Sequence, residues 1–256
     1  MLEVPQYNEH GEALICEMGR LHPEMGLTIR VKKLAAGEKL VLSSAENETA
    51  VLLLSGKLLF ECRDIKETGE RADPFEKKPF ALHFSRNTQA CFTALEASEI
   101  LIEETDNEKE FPPVFYDPEN CLYQEFGKGQ WGGAGHRVVS TMFDLSNAPY
   151  SNMVMGEVFN MPGKWSSYPP HHHPQPEVYY YRFNPSQGFG ACFIGDDVYK
   201  STDGSCCFIT PGSSHQQVTA PGYEMYYVWL IRHIDGDPWD KTRIYEPEHE
   251  WLASAL

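Results

Sequence analysis

The succession of short apolar runs broken by turn residues constrains this chain more than any other feature. Residues 26–105 read as LTIRVKKL, KLVLS, TAVLLLSGKLLFEC, PFALHFSR and QACFTALEASEILIEE, and from residue 137 the pattern returns as RVVSTMF, SNMVMGEVFNM, EVYYYRF, GACFI, DVYKS, SCCFIT, HQQVTA and YEMYYVWLI. Runs of this length, rich in β-branched and aromatic residues, are strands. Turn signals such as NPSQG, GDD, TDG, PGSS and APG recur between them at the short spacing of an antiparallel sandwich or barrel. No long stretch carries the helical period. The segment from 106 to 136 has Pro pairs, charges and a Gly cluster, the composition of a connection. A chain of 256 residues favours two cores. The expected fold is all-β, with two antiparallel β-barrel domains over 1–115 and 116–256. The tail DGDPWDKTRIYEPEHEWLASAL reads as irregular with one short helical turn.

Charge narrows the function. Lys plus Arg number 21 against 37 Asp plus Glu, a net charge of −16. Nucleic acid and anionic membrane surfaces need clustered basic residues, and there are no basic runs, so neither partner is expected. No apolar run reaches the roughly 18 residues of a membrane span, and the first thirty residues lack the order of a signal peptide, so a cytoplasmic location is expected. The seven cysteines are scattered without a CxxC pair, which reads as reduced, buried thiols. Cys206 and Cys207 are adjacent in a strand, and alternation should send one of them inward.

One segment stands apart, Pro169-Pro170-His171-His172-His173-Pro174-Gln175-Pro176-Glu177-Val178-Tyr179-Tyr180-Tyr181. In extended chain His171, His173 and Glu177 share a face while His172 points away. Two imidazoles and a carboxylate are the donors that a borderline divalent cation prefers. His215, in the turn Pro211-Gly212-Ser213-Ser214-His215, offers a fourth. His10, His22, His83, His136, His233 and His249 have no such company and read as surface or hydrogen-bonded residues. In the first half, Ser43-Ser44-Ala45-Glu46-Asn47-Glu48 places a carboxylate among serines, which does not make a site.

The pair of motifs, His-x-His-x3-Glu and then Pro-Gly-x-x-His, resembles the two metal motifs of the cupin superfamily. Asn184 stands where cupins usually carry Gly, and Asn tolerates the left-handed turn that Gly would adopt. A closer resemblance follows from Gly156-Glu157-Val158, the run Gly163-Lys164-Trp165-Ser166-Ser167-Tyr168-Pro169-Pro170-His171-His172-His173, and Glu177-Val178-Tyr179-Tyr180-Tyr181-Arg182-Phe183. With Glu48-Thr49-Ala50-Val51-Leu52-Leu53-Leu54-Ser55-Gly56, Arg71-Ala72-Asp73-Pro74-Phe75, Ala220-Pro221-Gly222-Tyr223 and Pro247-Glu248-His249-Glu250-Trp251-Leu252, these stretches are similar to the 5-deoxy-glucuronate isomerases of inositol catabolism. The related 5-keto-4-deoxyuronate isomerases are less similar. The chain departs from the family in having His172 and Pro174 where Lys and Asp are usual. It also has only Gln175-Pro176 where a longer insert precedes the Glu strand, a loss that would reshape the pocket.

The resemblance implies a bicupin whose first barrel is a degenerate copy without metal ligands. It implies conversion of 5-deoxy-glucuronate to 5-dehydro-2-deoxy-gluconate, on a metal held by His171, His173, Glu177 and His215. Zinc suits the donors, with manganese, iron and nickel compatible. Such an ion leaves the ring near +1 by charge counting. Tyr179 and Tyr181 share the parity of Glu177 and are the expected proton-transfer residues. Arg182 is a candidate carboxylate clamp that alternation turns to the opposite face. Lys164, Tyr168 and Tyr227 are further substrate-binding candidates from their place near the motif. The same donors also serve iron-dependent cupin dioxygenases and would suit a non-enzymatic sugar-acid-binding cupin. The expected partner is a small sugar acid, and a homo-oligomer is compatible with the sequence.

Overall fold

The computed structural model describes residues 1–76 and 78–254. Nearly all regular structure among them is antiparallel strand, and the α-helical part is the single turn Trp251–Ser254, as the strand pattern requires. None of the described helices is long and apolar enough to cross a membrane. The chain divides into two compact units. One holds Pro5–Cys121 with Met142–Met153, and the other holds Met1–Val4, Leu122–Thr141 and Val154–Leu256.

The first unit is organised by one long strand, Asn47–Cys62. Its beginning pairs with Ala81–Phe84 and Ser98–Asp106, and its end with Ile65–Arg71 and Gln89–Ala94. The change of partners occurs at Gly56, where φ is 98° and a β-carbon would lie 2.4 Å from the Ala97 carbonyl oxygen. Only glycine meets both demands. Val51, Leu53, Leu58 and Phe60 from this strand form the core with Leu82, Phe92, Ile100 and Ile102.

Glu48 is fully buried at the start of that strand. Its carboxylate lies 2.8 Å from His83 Nε2 and accepts hydrogen bonds from Asn107 Nδ2 at 3.0 Å, Ser151 Oγ at 3.0 Å and the Asn152 backbone N–H at 2.6 Å. The His83 ring stacks on Phe143, with centroids 4.1 Å apart. These bonds account for the membership of Met142–Met153 in this unit, which lies outside the 1–115 span. A buried carboxylate stripped of such partners is costly, and so are donors left without their acceptor.

The second unit stacks two sheets. One runs in the order Leu2–Glu3, Cys206–Ile209, Glu177–Asn184, Glu224–Arg232, Met153–Asn160, Arg137–Phe143 and Leu122–Phe126; the other in the order Asp197–Thr202, Phe189–Ile194, His215–Thr219, Trp165–His172 and Ile244–Tyr245. Tyr179, Tyr181, Cys192, Cys207, Met225, Tyr227 and Ile231 fill the interior. Gly156 lets the Trp229 indole lie against its strand, since a β-carbon there would meet the ring at 2.3 Å.

Three local expectations change. Asn184 does not adopt the left-handed conformation; it ends its strand opposite Glu224, and its amide donates to Glu224 Oε2 at 2.9 Å. The following residue is Pro185, and a residue before proline is driven to extended geometry. Cys206 and Cys207 are both buried, because the strand Cys206–Ile209 is covered on both faces. The tail is more than irregular chain. Ile244–Tyr245 pairs with His171 and His172, the Glu246 N–H donates to the Pro170 carbonyl at 3.1 Å, and His172 Nδ1 lies 3.1 Å from Glu246 Oε1.

Glu48→Ala should lower the stability of the protein by about 3 kcal/mol, read as a reduced urea midpoint, with Glu48→Gln costing less. An unchanged midpoint in Glu48→Ala would show that the network is dispensable.

Candidate metal centre

The histidine motif lies where two strands of the smaller sheet meet. His171 and His215 are direct cross-strand partners, reached after an irregularity in the ladder between Ser166 and His171. The Pro-Gly turn docks on the motif itself, the Gly212 N–H donating to the His173 carbonyl at 2.9 Å. After His173 the chain reverses through Pro174-Gln175-Pro176, and the Gln175 amide donates to the Asp237 carbonyl at 2.6 Å. Glu177 then opens the next strand. The four side chains arrive from two sheets, and each is at least 96 % buried.

His173 Nε2 and His215 Nε2 each lie 3.3 Å from Glu177 Oε2. The ligand atoms of His173, Glu177 and His215 all fall within 4.8 Å of one another. The His171 ring joins them, with its centroid 4.6 Å from that of His215 and 6.4 Å from that of His173. Backbone carbonyls fix two of the imidazoles: His171 Nδ1 lies 2.8 Å from the Pro169 oxygen and His215 Nδ1 lies 3.1 Å from the Ser213 oxygen. A carbonyl can only accept, so Nδ1 carries the proton and Nε2 keeps its lone pair free, the tautomer that a metal ligand requires. His173 Nδ1 is buried without a partner. The donor set therefore fits a divalent cation.

The electrostatics agree. Burial alone would raise the Glu177 carboxyl, but its contacts with the His173 and His215 rings outweigh burial and hold the group at about 2. Burial, then the neighbouring His215 and Arg243, push His171 well below the ordinary imidazole value. Its ring is thus neutral and able to donate a lone pair.

A cavity of about 400 Å³ opens on this ring, within the usual range for small-molecule sites. Tyr179 and Tyr227 line it, with His171, His173, Glu177 and His215. The Tyr179 hydroxyl lies 2.9 Å from Ser167 Oγ; Ser167 Oγ lies 3.5 Å from the Tyr227 hydroxyl, which donates to Ser166 Oγ at 3.0 Å. Burial pushes the Tyr179 phenol well above its ordinary value, and the Glu177 charge adds to this.

The other candidates lie elsewhere. Tyr181 is one strand step deeper than Tyr179; its hydroxyl donates to Gln217 Oε1 at 2.5 Å, and it is absent from the cavity wall. Arg182 faces away and pairs with Asp203 at 3.1 Å. Tyr168 packs between Trp131 and Trp165, with centroids 4.9 and 5.4 Å away, and Lys164 is likewise outside the lining. The wall instead includes Arg137, Lys241 and Arg243, which the sequence reading passed over. Arg137 opens a strand that was read only for its apolar residues. Lys241 and Arg243 lie in the tail, with Trp239 and Tyr245 as further lining residues.

A model of the KduI/IolB family matches residues 2–252. The chain belongs to the KduI/IolB family. A 5-deoxy-glucuronate isomerase of Bacillus licheniformis is 25 % identical over 273 residues, covering 98 % of each chain. One from Geobacillus thermodenitrificans is 26 % identical, covering 97 % of this chain and 93 % of the relative. Among solved structures, an IolB-like protein of Salmonella typhimurium superposes with a TM-score of 0.88 at 24 % identity, over 98 % of both chains. A Bacillus subtilis oxalate decarboxylase superposes at 0.65 with 11 % identity, covering 91 % of this chain and 77 % of its own. The fold of this KduI/IolB family member is thus all-β, as the strand pattern led us to expect, and of the bicupin kind that the resemblance implied.

The depressed His171 value sets a pH dependence. Below about 6.5 the unfolded chain takes up a proton that the folded chain refuses, so this contribution to stability is full above that value and declines as pH falls through it. In chelator-treated protein, the melting temperature should drop between pH 7.5 and 5.5, and by less in His171→Asn. Equal slopes in the two proteins would contradict a buried neutral His171.

Proposed function

We propose that this protein is a metal-dependent aldose–ketose isomerase of a sugar acid, converting 5-deoxy-glucuronate to 5-dehydro-2-deoxy-gluconate in inositol catabolism. The observation that carries the reading is the buried cluster of His173, Glu177 and His215, with the His171 ring beside it and Tyr179 on the wall of the same cavity. The full-length similarity to 5-deoxy-glucuronate isomerases supports the choice of substrate. Zinc is the ion proposed for the ring, and manganese, iron and nickel share its donor preferences. A cation bound there would act as a Lewis acid, stabilising the oxygens that gain charge as the enediolate forms.

The chain's own hydroxyls serve the exchange of protons between the two substrate oxygens. Isomerisation moves a proton between adjacent carbons and exchanges the hydroxyl and carbonyl roles of their oxygens. Tyr179 stays protonated because it is buried, so its O–H can donate to the substrate oxygen that becomes a hydroxyl. The Ser167 and Tyr227 hydroxyls extend the chain through which that proton is replaced. Trp229 and Trp239, whose rings lie 5.5 Å apart, wall the cavity with apolar surface and limit the entry of water.

Purified protein should isomerise 5-deoxy-glucuronate, lose turnover with a chelator and regain it with a divalent cation. His173→Ala and His215→Ala should abolish measurable turnover. Tyr179→Phe should lower kcat about a hundredfold with little change in KM. Turnover that ignores both the chelator and the histidine substitutions would remove the metal from the mechanism. Faster turnover of 5-keto-4-deoxyuronate would reassign the substrate, and oxygen consumption with Fe(II) would point to a dioxygenase.

A further inference from the structure

The cavity wall has an unusual balance of charge. Among the described lining residues Glu177 is the one acid, and the metal ring uses it; Arg137, Lys241 and Arg243 are the bases. Arg137 is the informative member. It is 95 % buried, and its guanidinium lies over the Phe126 ring at 5.4 Å. Its Nη1 donates to the Gly135 carbonyl at 3.1 Å, and no carboxylate of the described residues pairs with it. Burying a guanidinium is expensive unless an anion compensates it. Burial is the main cause that lowers the Arg137 value to about 10, and Arg243 lowers it further while Tyr227 opposes both. Arginines paired with acids are available to this chain elsewhere, as Arg30 with Glu104 at 2.8 Å shows. Arg137 and Arg243 line the same cavity, and neither meets a carboxylate among the described residues, so this wall suits an anion brought from outside.

The place has a direction. Arg137, Val139 and Thr141 alternate into the cavity from one strand, and Lys241, Arg243 and Tyr245 alternate into it from the tail. Tyr227 and Tyr179 are the phenols whose charge Arg137 would feel, and Tyr179 in turn neighbours His215, with ring centroids 6.2 Å apart. The order along the wall is therefore metal ring, Tyr179, Tyr227, Arg137.

We propose that Arg137 and Arg243 form a carboxylate subsite beside the metal ring, which anchors the acid end of a sugar acid and leaves its carbonyl end facing Tyr179 and the ring. The assignment rests on the isomerase reading for the identity of the reacting end, but not for the anion itself. A planar guanidinium matches a carboxylate through two parallel N–H donors, and charge-assisted bonds of this kind are the strong ones.

Calorimetry on the protein as purified, with glucuronate and its neutral counterpart glucose as probes, tests the subsite without turnover. Glucuronate should bind at least about tenfold more tightly than glucose, the difference expected of one charged hydrogen-bonded pair. Arg137→Gln and Arg243→Gln should each remove most of that difference, with glucose binding retained as the sign that the cavity is still formed. Arg137→Lys should restore part of it. Equal binding of the two sugars, absent binding of both, or full glucuronate affinity in both Gln variants would overturn the subsite. Tighter binding of glucose 6-phosphate than of glucuronate would overturn the carboxylate assignment. If the binding differences hold while 5-deoxy-glucuronate is not turned over, the isomerase reading fails and the subsite stands. If turnover proceeds with KM unchanged in Arg137→Gln, the subsite fails and the isomerase reading stands.

Discussion

The second unit depends on one constraint: two imidazoles must present lone pairs, not protons, to a common point. The Pro169 and Ser213 carbonyls impose it by accepting from Nδ1 of His171 and His215. Each of these carbonyls lies two residues before the histidine that it holds, so the constraint is local. The cross-strand pairing of His171 with His215 then makes it joint. The turn that carries Gly212 fastens to His173 by a backbone bond, which ties the third histidine to the same pair of strands. A slip of one residue in this pairing would turn the imidazoles to the other face of the sheet. The register is therefore the element on which the rest of the site is built.

Charge is organised around that point in layers. An acidic chain of net −16 repels small anions at long range, and only short-range features reverse the effect. Within the cavity Glu177 lies against His173 and His215, which leaves the basic side chains to dominate the remaining wall. Charge counting on the metal ring alone pointed in this direction, and the arginines extend it. The cavity is thus a recess with basic walls in an electronegative chain.

Much of this was legible in the sequence because period two is a strong signal. Strand parity placed His171, His173 and Glu177 together and turned His172 and Arg182 away, and the structure places them so. What parity could not convey was depth. Tyr179 and Tyr181 face the same interior, but the second lies one strand step beyond the cavity floor, bonded to Gln217. Proximity in sequence was a poor guide: Lys164 and Tyr168 stand close to the motif in the chain and outside its cavity in space. The cationic residues were hidden for another reason. Arg137 begins an otherwise apolar strand, and Lys241 and Arg243 lie in a tail whose composition is that of a loop. Long-range pairing brings these segments to the site, and no local pattern announces it. Glu48 shows the same limit in the first unit, since its partners at Asn107, Ser151 and Asn152 lie far along the chain.

The docking of the tail bears on how the protein is made. Both sheets of the second unit can be nearly complete once Glu224–Arg232 has paired, yet the cavity still lacks Trp239, Lys241, Arg243 and Tyr245. These residues arrive when Ile244–Tyr245 adds to the sheet edge at His171 and His172, and when Glu246 takes its bonds to Pro170 and His172. A chain that emerges from the ribosome N-terminus first therefore possesses its histidines before it possesses this last part of the wall around them. During that interval the metal donors face an open cleft. Trp239, Lys241, Arg243 and Tyr245 are thus the part of the cavity wall that follows both main sheets in chain order.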